Sequence, residues 1–527
     1  MTAAVAEITP EKTALPGWWK WAIVLTASLG ALLEIIDTSI VNVALRDMQA
    51  TLGATLSEIG WVVTGYAIAN VIIIPLSAWL GDYFGKKNYF VFSLIGFVMA
   101  SILCGMATSL PMLIAARVLQ GLTGGGLLAK AQSIIFETFS KEEQGMAQAV
   151  FGLGVIVGPA FGPTVGGYIT DNFGWRWIFF INLPIGILAV LAAIIFLLKD
   201  KPNLTMDRRV DWLGIFLLML GLGSLQVMLE EGQQDDWFSS PFIIAMAATS
   251  LIGLVLFIWQ ELTCESPAVN LRVLRHRSLV AGSMLSMLLG MGLYGALFAI
   301  PIFAQTILNF TATDTGLLLL PGSIASGFTM LLVGRISGKL DPRWLIALGS
   351  LIMSFTMFSL SAISPQTNAD TLYWPLVWRG IGTVMMYLPL SLATFGPIPK
   401  EDTSAAAGFY NLTRQIGGSL GIAFLTTFLS QRENLHRSHL VERINAYNPI
   451  AQQQIHGLTS AFQHRGADLA MAKQQAYAAI NGMLDLQAGV ISYDDIFHVV
   501  GLAFLLALPL LFLLGKPKKG NAPADLH

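Results

Sequence analysis

Apolar positions along this chain gather into long windows of about 20 residues, the length that crosses about 30 Å of hydrocarbon at 1.5 Å per residue. The windows fall at 18–45, 57–80, 88–107, 111–138, 145–170, 177–198, 211–230, 241–262, 278–307, 315–337, 343–363, 374–397, 404–430 and 495–515. The pattern predicts an all-α polytopic membrane protein with about fourteen transmembrane helices. The first window holds Glu34 and Asp37 and is too long and too acidic for a cleavable signal peptide.

Composition agrees with the pattern: 54% of residues are hydrophobic and 12% charged, against roughly 25% charged in a soluble domain. A net charge of -2 argues against a nucleic-acid partner, which needs a basic surplus. Cys104 and Cys264 fall toward opposite membrane faces, so no disulfide is expected between them.

Lysine and arginine orient the spans. Alternate loops hold Lys86 and Lys87, Lys141, then Lys199, Lys201, Arg208 and Arg209, then Arg272, Arg275 and Arg277, then Lys339 and Arg343, Lys400, and finally Lys516, Lys518 and Lys519. The positive-inside rule assigns that set, and both termini, to the cytoplasm. The other short loops offer only Arg46 and Arg176, and the acidic "EEGQQDDW" lies among them. The segment 431–494, rich in Gln, Ala and His, is expected to be a long extracytoplasmic loop of helical composition, either a solvated loop or a docking surface for a partner protein.

The chain also echoes itself. "GDYFGKK" after the second span (81–87) has a weaker counterpart in "GRISGKL" after the tenth (334–340), and each precedes an intramembrane arginine, Arg117 or Arg379. Related halves of this kind build many secondary transporters. The expected organisation is a cytoplasmic tail (1–17), a six-helix bundle (18–198), a basic linker with two inserted helices (199–262), a second six-helix bundle (278–515) and a tail (516–527).

Ionisable groups inside lipid cost at least about 2.5–3.5 kcal/mol each at the helix centre, so each needs a reason. Glu34, Asp37, Arg117, Arg379 and Arg414 are such groups. At 1.5 Å per residue Asp37 lies roughly 12 Å, and Arg117 roughly 9 Å, from the outer ends of their helices, so the two can meet. Glu34 and Asp37 sit three apart on one helix face. Two carboxylates close together do not both ionise easily, whereas a nearby arginine favours the ionised form. The group is a candidate proton switch; a static ion pair is the alternative. Arg379 reads as intramembrane or as snorkelling at an interface, Arg414 as facing a polar interior, and Lys130 as an anchor reaching the headgroups. Asn70, mid-span, needs a hydrogen-bond partner. With Tyr294 and Gln305 it is a candidate to touch substrate between the halves.

In "GLGVIVGPAFGPTVGG" (152–167), Gly154, Gly158, Gly162 and Gly166 recur one turn apart, beside Pro159 and Pro163. Small residues let membrane helices approach closely, and prolines bend them. The expectation is a notched, bent helix against which another bundle closes; a plain packing seam is the alternative.

The ordered motifs "IDTSIVNVAL" (36–45), "GDYFGKK", "RVLQGLTGGG" (117–126), "GPAFGPTVGGYI" (158–169) and "GWRWIFFINLPIG" (174–186) resemble those of the major facilitator superfamily, specifically its fourteen-span drug/proton antiporters. The inserted pair with "GSLQVML" (223–229) and "DWFSS" (236–240), and "NLTRQIGGSLG" (411–421), resemble the EmrB branch.

The resemblance implies a 6+2+6 arrangement in the bacterial inner membrane. It implies that Asp37 takes part in proton coupling assisted by Arg117, and that Gly158, Pro159, Gly162, Gly166 and Gly167 mark an exporter. It further implies that Gly81, Asp82, Gly85 and Lys86 serve conformational switching. The expected partners are an EmrA-like periplasmic membrane-fusion adaptor and a TolC-like outer-membrane channel. The expected activity is proton-coupled efflux of amphipathic or hydrophobic compounds by alternating access, without cofactor or covalent chemistry. A dedicated exporter of a siderophore or fatty acid, or a proton-coupled uptake symporter, are the alternatives. No nucleotide-binding motif supports ATP as the energy source.

Overall fold

The computed structural model describes residues 16–198, 210–362, 364, 367, 369–445 and 447–514; within its helices, the side chains of residues 56, 160, 293–298, 312 and 369 are not described. The expected tails, but for Pro16 and Gly17, and the basic linker residues 199–209 lie outside this set.

Seventeen α-helices are described: α1 (Gly17–Leu52), α2 (Leu56–Phe84), α3 (Lys86–Gly105), α4 (Leu110–Gly124), α5 (Leu127–Thr138), α6 (Gln144–Phe173), α7 (Trp177–Phe180), α8 (Asn182–Phe196) and α9 (Trp212–Glu231). They continue with α10 (Pro241–Thr263), α11 (Arg277–Thr306), α12 (Ala312–Ile336), α13 (Pro342–Leu360), α14 (Ala369–Phe395), α15 (Thr403–Glu442), α16 (Pro449–His464) and α17 (Leu469–Leu506). Each apolar window of the sequence is occupied by helix.

Among the described residues 11 helices are long and apolar enough to cross a membrane, or 12 with α6 taken as one bent span. Its two parts meet at 45° where Pro159 stands, since a proline removes a backbone donor and clashes with the preceding turn. The windows at 278–307 and 404–430 are α11 and α15; α15 is the more polar, carrying Asn411, Arg414 and Gln415.

Three windows are broken, the last of them where α17 ends and a 3-10 helix (Leu508–Leu513) follows. α4 gives way to α5 at three consecutive glycines, Gly124 to Gly126, and α7 gives way to α8 at Ile181. Pro184 has no N–H for the Phe180 carbonyl, which favours a break there.

The internal repeat extends to helix starts. α2 opens with a capping box, in which the Thr55 hydroxyl accepts Glu58 N–H at 3.2 Å and the Glu58 carboxylate accepts Thr55 N–H at 2.8 Å. α12, in the corresponding place of the second half, opens with the same device between Thr311 and Asp314. Each of these helices then ends on one of the paired loop motifs.

The inserted helices α9 and α10 pack as a hairpin where Gly253 meets Gly221; a Cβ on Gly253 would lie 2.8 Å from Gly221 N. α9 also packs against α2 and α15, one helix from each half. The 431–494 region is helical: α15 runs on to Glu442, α16 follows, and α17 returns, with Ala451 and Ile455 of α16 and Ala472, Ala476 and Ile480 of α17 buried.

Candidate functional site

Past the middle of α1, Asp37 is fully buried, which an ionised carboxylate tolerates only with partners. It has three. Arg117 Nη1 donates to Oδ2 at 2.5 Å, while Gln120 Nε2 and Asn182 Nδ2 donate to Oδ1 at 2.8 and 2.9 Å. Arg117 is equally well held: Nε donates to the Val62 carbonyl at 3.1 Å, Nη1 also reaches Gln120 Oε1 at 2.8 Å, and the guanidinium lies 4.2 Å from the Tyr66 ring centre. The depth match read from the sequence is realised as a buried ion pair.

Glu34 occupies a different environment. Asn70 Nδ2 donates to its Oε1 at 3.0 Å, and the backbone N–H of Leu128 to its Oε2 at 2.9 Å. Leu128 is the second residue of α5, so the carboxylate sits at a helix N-terminus, where free N–H groups and the dipole favour an anion. The break that creates this N-terminus depends on small residues: a Cβ on Gly126 would sit 2.9 Å from Ser77 Cβ and overlap the Tyr89 hydroxyl. The acidic pair expected on one helix face is therefore two carboxylates with separate donor sets. Asn70, a candidate for substrate contact, spends its amide on Glu34.

A second polar cluster joins the halves. Lys130 Nζ donates to Ser404 Oγ at 2.7 Å, Gln132 Nε2 to Ser391 Oγ at 3.0 Å, and Asn411 Nδ2 to Gln132 Oε1 at 2.7 Å. Arg414, buried as expected, donates to Asn411 Oδ1 at 2.7 Å and lies 5.5 Å from the Tyr387 ring centre. Lys400 Nζ adds a bond of 2.8 Å to the Glu137 carbonyl. Lys130 is 1% exposed, which corrects its reading as a headgroup anchor. Its ammonium occupies the space a side chain on Gly81 would fill, and α15 supplies the hydroxyl it needs.

The loop motif is tied down at both lysines. Lys86 pairs with Glu137 at 2.5 Å, and Lys87 Nζ donates to the Ile194 and Leu197 carbonyls at 2.6 and 2.7 Å. Those carbonyls end α8, where a cation is favoured. Gly85 holds the turn at a φ of 87°, a region costly to other residues. Asp82 is half-buried beside it.

The glycine row of α6 faces α1. A Cβ on Gly158 would meet Ile35, on Gly162 Ser39, and on Gly166 Ile40, all in the same half. The surface α6 presents to the other half is a different one: Gly145 and Ala149 meet Gly334 of α12, and Thr164 meets Gly316. The expected interbundle helix is present, but its Gly154–Gly166 face is a seam with the helix that bears Asp37. Pro163 and Gly167 lie on the same helix.

Arg379 is 8% exposed, so it does not snorkel, and among the described residues its Nη1 has no hydrogen-bond partner. Gln305 is exposed near the C-terminal end of α11, and the Tyr294 side chain lies outside the described set. Among the described residues no group of three or more His, Cys, Asp or Glu is placed to hold a metal ion. Among the site residues that escaped the sequence reading are Gln120, Asn182, Tyr66 and the N–H of Leu128 around the α1 carboxylates, and Gln132, Ser391 and Ser404 between the halves. A glutamine three residues after Arg117 and an asparagine two before a proline in an apolar run were the available signals.

Comparison with known proteins gives a consistent result. The model of the Major Facilitator Superfamily matches residues 27–422. The multidrug export protein EmrB of Escherichia coli (strain K12) is 35% identical over 495 residues, covering 94% of this chain and 95% of that one. The fatty acid resistance protein FarB of Neisseria gonorrhoeae is 32% identical over 508 residues, covering 96% and 98%. Among solved structures, the human organic anion transporter MFSD10 superposes with a TM-score of 0.60 at 13% identity, covering 94% of this chain and 100% of that chain, a likeness of fold.

Proposed function

The chain belongs to the Major Facilitator Superfamily, alongside the EmrB multidrug export proteins, and from that premise we propose that it is a proton-driven exporter of hydrophobic or amphipathic compounds. Its apolar helices and its relatives make it a multi-pass protein of the bacterial inner membrane. The observation that carries the coupling is the buried contact between Asp37 and Arg117.

A proton entering from outside reaches Asp37 and discharges the pair, so Arg117 loses its counter-charge and the local packing of α1 and α4 is free to change. The halves 18–198 and 278–515 then rock about the intervening site, with α9 and α10 beside them. In the structure the polar bonds of Lys130, Gln132 and Lys400 close the end that the basic loops assign to the cytoplasm. This geometry fits an outward-facing state in which Asp37 is ionised. Proton release inward resets the cycle, and substrate leaves in the opposite direction.

The helical projection of α15, α16 and α17 beyond the membrane is the surface we assign to a periplasmic adaptor. A dedicated fatty acid exporter is the second reading, favoured by the likeness to FarB. A susceptibility panel in a strain lacking the gene separates the two.

Asp37→Asn tests the coupling. The amide keeps an oxygen for Arg117 but cannot exchange a proton at neutral pH. Expected is loss of substrate-driven proton exchange in proteoliposomes, with insertion and elution profile unchanged. Exchange at the wild-type rate removes Asp37 from the mechanism.

A further inference from the structure

Resting on the reading of Asp37 as the proton-exchanging group, we infer that Asn182 is a positioning residue that serves both of its protonation states, donating to the carboxylate and, after a half turn of its amide, accepting from the carboxylic acid. The argument is one of hydrogen-bond supply. When Asp37 takes a proton it gains one O–H that must be given to an acceptor, because a buried hydroxyl without a partner is costly.

Every group on the carboxylate in the structure is a donor: the Arg117 guanidinium on Oδ2, the Gln120 and Asn182 amide nitrogens on Oδ1. Gln120 cannot turn round. Its Oε1 accepts from Arg117 Nη1 at 2.8 Å and from Cys104 Sγ at 3.6 Å, so a flip would set its NH2 against a cation. Tyr66, from α2, lies beneath the guanidinium, and its hydroxyl accepts from Asn70 Nδ2 at 3.4 Å. Glu34, the other buried ionisable group of α1, is held by Asn70 and Leu128.

Asn182 differs from all of these. It is fully buried, and among the described residues its Oδ1 has no partner. Its Nδ2 makes two bonds, to Asp37 Oδ1 and to Ser101 Oγ at 3.0 Å. A half turn about the Cβ–Cγ bond brings the unused oxygen to Asp37. Ser101 keeps its place but exchanges partners: its hydroxyl hydrogen leaves the Phe179 carbonyl, to which it donates at 2.8 Å, for Asn182 Oδ1, while the Asn182 amide N–H groups give up Asp37 and Ser101. The position of Asn182 makes this available, since it opens α8 at the break before Pro184 rather than lying inside a continuous helix.

The sign of a pH shift separates this role from that of a fixed donor. Asn182→Val removes both functions. The ionised form keeps Arg117 and Gln120 as donors, whereas the protonated form loses its acceptor. The expected result is a fall of about one unit in the pH midpoint of the Asp37 carboxyl, followed as the infrared C=O band that Asp37→Asn abolishes in full-length protein in lipid. Asn182→Thr, equal in shape to Val but carrying a hydroxyl that both donates and accepts, restores the midpoint. A rise or no change in the Val variant, or identical behaviour of Val and Thr, overturns the inference. If no titrating band is lost in Asp37→Asn, the reading of Asp37 itself fails instead.

Discussion

Replacing Gly162 by alanine tests whether the seam between α6 and α1 holds the ion pair in register. The added Cβ would overlap the Ser39 hydroxyl and sit 2.7 Å from Ser39 Cβ and 3.1 Å from Ile40 N. Carbon contacts prefer about 3.5–4.0 Å. Turning the Ser39 side chain moves its oxygen but neither its Cβ nor the backbone, so α1 must retreat by roughly 1 Å, the deficit against that contact distance. Two residues away, Asp37 is fixed by bonds of 2.5 to 2.9 Å, and a retreat of that size takes them to the edge of hydrogen-bond range. Overpacking costs about 1–3 kcal/mol, and a weakened charged hydrogen bond adds up to about 1.5–3 kcal/mol. At about 1.4 kcal/mol per decade, proton-driven efflux in inverted vesicles falls about tenfold or more. Two controls sharpen the test. Ser39→Gly in the same chain removes the obstructing Cβ and restores transport, whereas Gly154→Ala, whose Cβ finds Leu32 at an ordinary 3.7 Å, leaves it unchanged. Wild-type efflux in Gly162→Ala, or no rescue by Ser39→Gly, refutes the reasoning.

Lys130→Met keeps the volume of the buried side chain but removes its bond to Ser404, a charged hydrogen bond worth about 1.5–3 kcal/mol; in a Cys264→Ser background, maleimide labelling of a cysteine placed at buried Ala407 rises about tenfold or more. Unchanged labelling would show that this contact does not close the cytoplasmic end. Replacing residues 443–468, which contain α16, by a short Gly/Ser turn leaves proton exchange in proteoliposomes intact and weakens capture of a purified periplasmic adaptor; equal capture places docking elsewhere.

What the sequence could reveal depended on whether the relevant geometry is local. The apolar windows became helices because each is long enough to span a membrane, where the backbone must satisfy its own hydrogen bonds, and Asp37 met Arg117 because a fixed helical rise converts residue counts into depth. Lys130 shows the opposite case. Its place near a helix end suggested headgroups, but Ser404, 274 residues away in the chain, decides where it points. Glu34 and Asp37 share a face of α1, as their spacing requires, yet the three glycines 124–126 at the end of α4 give way to a new helix whose N–H takes Glu34 alone. Spacing gave the row of glycines on α6 but carried no record of which neighbour fills the notch.

That neighbour changes how the halves can be coupled to the proton. On one face α6 fits its glycines against Ile35, Ser39 and Ile40 of α1; on the other, Gly145, Ala149 and Thr164 lie against Gly334 and Gly316 of α12. At Gly162 against Ser39, and at Gly145 and Ala149 against Gly334, the contacts bring backbone close to backbone or to the first side-chain carbon, so at those points no soft, long side chain absorbs a displacement. On the proposed coupling, a shift of α1 as Asp37 releases Arg117 would either slide along the glycine row or move α6 as a body. Ser39 set into the notch at Gly162 opposes sliding. Movement of α6 as a body is then the cheaper response, and because its far face is already in contact with α12, that movement reaches the second half without any side chain passing between the two.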